Sequence, residues 1–191
     1  MMKKTVLCLA IFALLVTAPS AFAGELGLYG SYWDTDALGE TAGGGAKWAF
    51  GDGPVQFELR GTYYPDLSED FGQLVDNGTG NFEVEAIVPE AGVTFGFGPG
   101  TNFRPYAGGG VSYFLLDTNR YDVDDEVGFY GVVGAEIGAE SGGVAFFVEG
   151  AYRWVEATVE NEDDIDDIGL QEDVDLDLNG PTINAGVVFR F

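Results

Sequence analysis

The chain has 191 residues, among them 32 acidic and 8 basic side chains, one cysteine, no histidine and 30 glycines, for a formal net charge of −24 at pH 7. Phosphate contacts need lysine and arginine, so a nucleic-acid partner is excluded. One cysteine rules out an internal disulfide, and glycine at about twice its usual share, without a collagen period, points to kinks and close backbone approach in a curved sheet.

The chain opens with the pattern of an export signal. Lys3 and Lys4 precede an apolar run from Val6 to Val16, and Ala21-Phe22-Ala23 forms a small-residue cleavage site. The run is too short to span a bilayer comfortably. Cys8 lies early in that run and not at the cleavage point, which argues against lipoprotein processing. Residues 1–23 are therefore expected to be removed, leaving 24–191 as one domain with 6 basic against 32 acidic side chains and no cysteine.

From there the chain reads as eight segments of period two, each near the length of a membrane-crossing strand. The first runs near Leu26 to Trp33, with Leu26, Leu28, Gly30 and Tyr32 as its outer row. In the second, Gly44, Ala46, Trp48 and Phe50 oppose Gly45, Lys47 and Ala49. The third is the clearest, with Val55, Phe57, Leu59, Gly61 and Tyr63 on one face and Gln56, Glu58, Arg60, Thr62 and Tyr64 on the other. The fourth, about Phe82 to Phe97, begins its apolar row with Glu83 and Glu85, as a strand leaving a bilayer for water would. The fifth sets Pro105 to Leu115 against Arg104 to Ser112, and the sixth sets Gly131, Val133, Ala135 and Ile137 against Tyr130, Val132, Gly134 and Glu136. The seventh sets Val144, Phe146, Val148, Tyr152 and Trp154 against Glu149, Ala151 and Arg153. The eighth carries Ile183, Ala185, Val187, Phe189 and Phe191 on its outer row.

The connections alternate. Residues 51–54, 98–102 and 140–143 are short and turn-like, whereas 34–41, 65–81, 117–126 and 156–179 are longer, polar and acidic. Aromatic residues gather at both ends of the segments, as interfacial rings do. The inward rows hold glycine, serine, tyrosine, glutamate and arginine, the inverse of a soluble barrel. These features predict an all-β, eight-stranded, antiparallel up-and-down transmembrane β-barrel with short periplasmic turns and long acidic extracellular loops. A soluble β-sandwich is disfavoured because its outward rows would expose large apolar patches.

The last segment carries a specific motif. Asn184, Gly186, Phe189 and Phe191 fill the pattern polar, any, Gly, any, any, aromatic, any, aromatic. This resembles the C-terminal assembly signal of bacterial outer-membrane barrels. Phe103-Arg104-Pro105-Tyr106-Ala107-Gly108-Gly109-Gly110-Val111 is similar to a recurring fifth-strand pattern of the small eight-stranded family of OmpA-type, OmpX-type and OmpW-type barrels. The resemblance covers 24–191. It implies the cell outer membrane as location, and outer-membrane lipid, lipopolysaccharide, periplasmic chaperones and the barrel-assembly machinery as partners. The fourth long loop is more acidic than the family pattern, so loop functions of relatives do not transfer.

Five basic residues, Lys47, Arg60, Arg104, Arg153 and Arg190, fall on inward positions and face Glu58, Glu90, Glu136 and Glu149. Two readings follow. Buried charges persist when paired, so these residues form an ion-pair network filling a narrow lumen, or they line the constriction of a channel. Inward glycines (Gly45, Gly108, Gly110, Gly134, Gly138 and Gly186) leave room for water in the second reading. The acid surplus lies in the loops, above all 156–179, where solvated, self-repelling chain is the plain expectation. A candidate divalent-cation site there comprises Asp173, Asp175, Asp177 and Asn179, because Asp175 to Gly180 matches the first half of a calcium loop, although Gly186 stands where its closing glutamate belongs. No other cofactor is indicated. Lipid A acylases and deacylases on this fold rely on a catalytic histidine, which the chain lacks, so no enzyme is expected. The function expected is a non-enzymatic envelope barrel with a closed lumen and acidic surface loops. The alternative is a narrow porin-like channel, or a conduit for small solutes or apolar compounds.

Overall fold

A computed structural model describes residues 24–35, 39–51, 53–65, 84–98, 102–118, 125–138, 143–159 and 174–191. The expected signal peptide lies outside these residues. Ten strands follow in order: β1 (Gly24–Thr35), β2 (Gly39–Phe50), β3 (Val55–Tyr64), β4 (Val84–Gly96), β5 (Phe103–Thr118), β6 (Glu126–Gly138), β7 (Gly143–Trp154), β8 (Glu156–Val159), β9 (Val174–Asp177) and β10 (Gly180–Arg190). Eight of them close into an antiparallel barrel in the order β1-β10-β7-β6-β5-β4-β3-β2. The seam runs from Glu25 opposite Arg190 to Trp33 opposite Thr182. No helix occurs among the described residues.

Period two in the sequence becomes two faces of one sheet, because successive side chains of a strand point to opposite sides. On β7, Phe146 is 65% exposed while Glu149 and Arg153 are each 1% exposed. Over the ionic part of the lumen the pattern is inverted: large apolar residues such as Val133, Phe129, Ile137 and Ile183 point out, and Lys47, Glu58, Arg60, Glu90, Glu149 and Arg153 point in. Rings collect at both rims, with Trp48, Phe50 and Phe57 in sequence near the short turns (centroids 5.1 and 5.8 Å apart) and Tyr152 against Trp154 at 5.0 Å near the other end.

Three connections differ from expectation. The first is tight and not long: β1 runs to Thr35 and β2 restarts at Gly39, which pairs with it. Gly39 adopts φ 74°, a left-handed conformation that glycine takes without a Cβ clash, and Thr35 Oγ1 donates to its carbonyl at 3.0 Å. The third is shortened because β5 and β6 extend to Thr118 and back to Glu126. The fourth begins and ends as a two-stranded ribbon, β8 with β9, continuing β7 and β10 beyond the barrel. In β4, Pro89 has no N–H to donate, and the β4–β5 pairing is interrupted between Ile87↔Leu115 and Glu90↔Ser112.

Two of the six inward glycines, Gly45 and Gly134, make room for rings, and Gly108, Gly110, Gly138 and Gly186 lie close against backbone, so none of the six leaves open space beside it. A Cβ on Gly45 would lie 2.5 Å from the Tyr29 ring, one on Gly134 2.7 Å from the Tyr106 ring, and one on Gly92 would run into the Tyr130 hydroxyl. Gly45 and Gly134 sit directly opposite Tyr29 and Tyr106 across the strand pairs. Outward Gly61 and Gly150, by contrast, face open space. Gly134→Ala should therefore destabilise the barrel by about 1–3 kcal/mol through overpacking. Gly150→Ala should be neutral or stabilise by up to about 1 kcal/mol through reduced unfolded-state entropy. Urea unfolding of both variants in lipid vesicles measures the difference.

Candidate functional site

The lumen holds the chemistry, and strand register decides which charges meet. Lys47 on β2 stands opposite Arg60 on β3, and Arg60 opposite Glu90 on β4. Two adjacent cations in a dry interior need carboxylates from elsewhere. Glu58 supplies one from the same face of β3: it forms an ion pair with Arg60 and lies 3.5 Å from Lys47. Glu149 supplies the other from β7, the strand diametrically across the barrel from β3. Its Oε1 lies 2.6 Å from Arg60 Nη1, and its Oε2 lies 3.2 Å from Lys47 Nζ. One ion pair thus spans the full width of the lumen.

Hydroxyls and amides add to the coordination of these charges, although Glu90 Oε2 accepts no hydrogen bond among the described residues. Glu149 also accepts from Tyr106 OH at 2.5 Å and from Asn184 Nδ2 at 2.9 Å. Arg153 Nε donates to Glu90 at 2.9 Å, and its Nη1 donates to Thr182 at 2.6 Å and Tyr64 at 3.1 Å. Ser112 donates to Glu90 at 2.9 Å. Ring faces add to this: Lys47 Nζ lies 3.9 Å from the Phe147 centroid and the Arg153 guanidinium 5.4 Å from that of Trp33. Lys47, Glu58, Arg60, Glu90, Glu149 and Arg153 are all at most 4% exposed.

A second group sits nearer the short turns. Arg104 on β5 reaches Glu25 on the diametrically opposite β1 at 3.1 Å and Glu136 on neighbouring β6 at 3.0 Å. Arg190 pairs with Glu25 at 3.1 Å and with Glu136. These side chains are 13–19% exposed except for Glu136 at 4%. The two groups together hold five cations and five carboxylates.

At the opposite end the inward row turns apolar. Trp33 packs against Tyr64 at 5.3 Å and Phe114 at 5.8 Å between ring centroids. Ala86, Val88, Leu116, Val155 and Leu178 are likewise buried at this end. The lumen therefore has three layers: a partly exposed ionic mouth, a buried ionic centre and an apolar cap.

All eight predicted network residues, Lys47, Glu58, Arg60, Glu90, Arg104, Glu136, Glu149 and Arg153, point inward and form ion pairs. Sequence reasoning missed Glu25, which lies one residue inside the expected cleavage site but shares the parity of inward Gly27 and Tyr29. It also missed the cap, because a polar inward row was assumed for the whole length. Of the assembly-signal residues, Asn184 is buried and bonded to Glu149, the Cβ of an alanine at Gly186 would press on the Leu28 carbonyl of β1, and Phe189 and Phe191 point outward. In the candidate cation loop, Asp175 and Asp177 lie in extended β9 opposite Thr158 and Glu156. Asn179 Oδ1 accepts the Val155 N–H at 2.7 Å, and Asp173 lies outside the described residues.

No protein-family model matches the chain, and neither does any curated protein sequence. Solved structures do match. Neisserial surface protein A (NspA) aligns at 12% identity over 90% of this chain and 98% of its own, with a TM-score of 0.59. The N-terminal β-barrel domain of Pseudomonas aeruginosa OprF aligns at 14% identity over 88% and 97%, with a TM-score of 0.52. At such identities the likeness establishes the fold: an eight-stranded up-and-down barrel of the kind that small outer-membrane proteins share.

Glu149→Ala should cost about 3–5 kcal/mol, since it leaves Lys47 and Arg60 buried beside an uncompensated gap. The Glu90→Met/Arg153→Met double variant should be less destabilised than either single variant, because no unpaired charge remains. Denaturant midpoints of the refolded proteins check both statements.

Proposed function

We propose that the protein is a non-enzymatic outer-membrane barrel that does not conduct, and whose exchanges with its surroundings run over its outer faces and long connections. The observation that carries this reading is the pair of ion pairs linking diametrically opposite strands, Arg60–Glu149 and Arg104–Glu25. These bridges, at hydrogen-bond distance across the full width, support a lumen without a path for a hydrated ion. The apolar cap supports the same reading, because the packed, buried rings of Trp33 and Phe114 offer a permeating ion little to replace its water.

An outer-membrane location fits the outward rows. Exposed to water, so continuous an apolar surface is a liability; facing acyl chains, it is the required lining. The strands leave no backbone edge in the closed sheet, as a bilayer demands. On this reading residues 1–23 direct export, and periplasmic chaperones deliver the chain. The assembly machinery then reads Asn184, Gly186, Phe189 and Phe191 on the last strand, and outer-membrane lipid and lipopolysaccharide surround the finished barrel.

The refolded protein, shown by protease protection to be inserted in a planar bilayer, should produce no discrete conductance steps. Reproducible steps would replace this reading with that of a narrow channel, and Arg60 and Glu149 would become its selectivity residues. Glu149→Ala, in which the central strut is cut but the cap is kept, should remain silent in the same measurement.

A further inference from the structure

The mouth of the lumen contains a small cavity of about 10 Å³ at the short-turn end, lined by Glu25, Gln56, Thr94, Arg104, Tyr106 and Glu136 among others. That is the space of about one water molecule. Arg104 is one of its lining residues: its Nη2 lies 3.1 Å from Glu25, 3.0 Å from Gln56 and 3.0 Å from Glu136, while its Nε, also buried, meets no acceptor among the described residues. The other three lumen arginines differ. Nε of Arg60 donates to Glu58 at 2.9 Å, that of Arg153 to Glu90 at 2.9 Å and that of Arg190 to Glu25 at 3.1 Å. A buried N–H without an acceptor costs about 1–3 kcal/mol, so a polar cavity beside it favours an occupant that accepts.

We propose that this cavity is a water site on Arg104 Nε, and that solvent enters the barrel from the short-turn end to reach it. The proposal rests on the closed-lumen reading and adds a direction to it. Charge selects the occupant. Glu25, Glu58 and Glu136 line the same cavity and repel an anion, while Arg104 and Lys47 repel a cation. A neutral acceptor the size of water satisfies both constraints. Exposure falls along the same axis, from 19% at Arg104 to 4% at Lys47 and 1% at Arg153 and Trp33. The barrel is then a blind vestibule, wet at one end and dry at the other.

Solution NMR of the full chain in detergent micelles tests this through the guanidinium Nε–H signals, with Arg104→Lys, Arg60→Lys and Arg153→Lys supplying assignments. The Arg104 Nε–H should exchange with water about tenfold faster or more than those of Arg60 and Arg153, as local exposure predicts. Sodium formate should leave the Arg104 signal unmoved. An Arg104 signal as slow as the other two would overturn the water site and leave the closed lumen standing. A formate-dependent shift would overturn it in favour of a small oxyanion. Fast exchange at Arg153 would instead overturn the closed lumen itself.

Discussion

The width of an eight-stranded barrel governs everything inside it. Its interior is just wide enough for side chains to meet across the axis and too narrow for bulk water. A charge placed there has no solvent to turn to, so each needs a partner of the opposite sign within reach. The chain meets this with five cations and five carboxylates arranged so that strands facing each other across the barrel are tied together. Such pairs add little net stability compared with apolar packing of the same volume. Their effect is on specificity. Sliding any one strand by a single residue would turn its charges out to the apolar side and its apolar row inward, so the network fixes the register of a sheet that has no free edge to adjust.

The same narrowness explains the glycines. Tyrosine rings such as Tyr29 and Tyr106 cannot stand upright in so small a lumen; they lie down across the neighbouring strand. The residue beneath must then be glycine, and Gly45 and Gly134 occupy those places. Each ring delivers its hydroxyl to a polar partner, Tyr29 to Thr62 at 2.8 Å and Tyr106 to Glu149 at 2.5 Å. Glycine on one strand and tyrosine on the next are two halves of one device. It fills volume with apolar ring while placing a hydrogen-bonding group near the axis.

Most of the architecture was legible because a β-strand shows its two faces directly in sequence order. Once Val55 to Tyr63 and Val144 to Trp154 are read as lipid-facing rows, the inward direction of Arg60, Glu149 and Arg153 follows by parity alone. What parity cannot supply is position around the barrel. That Glu149 would reach across to Arg60, or Arg104 to Glu25, depends on strand order and tilt combined. Inward glycines were misread for the same reason: alternation shows that Gly134 faces the lumen but not that Tyr106 covers it. The first connection looked long because Asp34, Glu40 and Thr41 are polar, whereas a strand can go on pairing after its side chains become hydrophilic.

The distribution of charge extends the argument beyond the lumen. Of the eight basic residues in the chain, two lie in the first four positions and five are held in the lumen network, which leaves Arg120 alone. Five of 32 acidic residues face those cations, so the remaining 27 are set against three basic side chains, Lys3, Lys4 and Arg120. The lumen is neutral and contributes no field at a distance; the net charge resides elsewhere on the molecule. Sulfate and phosphate groups are held chiefly by arginine and lysine, and almost none remain for that purpose. Where the outward rim meets polar surroundings it uses hydroxyls instead, as in Tyr113 donating to Asp125 at 3.3 Å. The interior has consumed the positive charge that a surface for polyanions would need. A charged partner that binds outside the barrel must therefore bring positive charge of its own or arrive with a cation between.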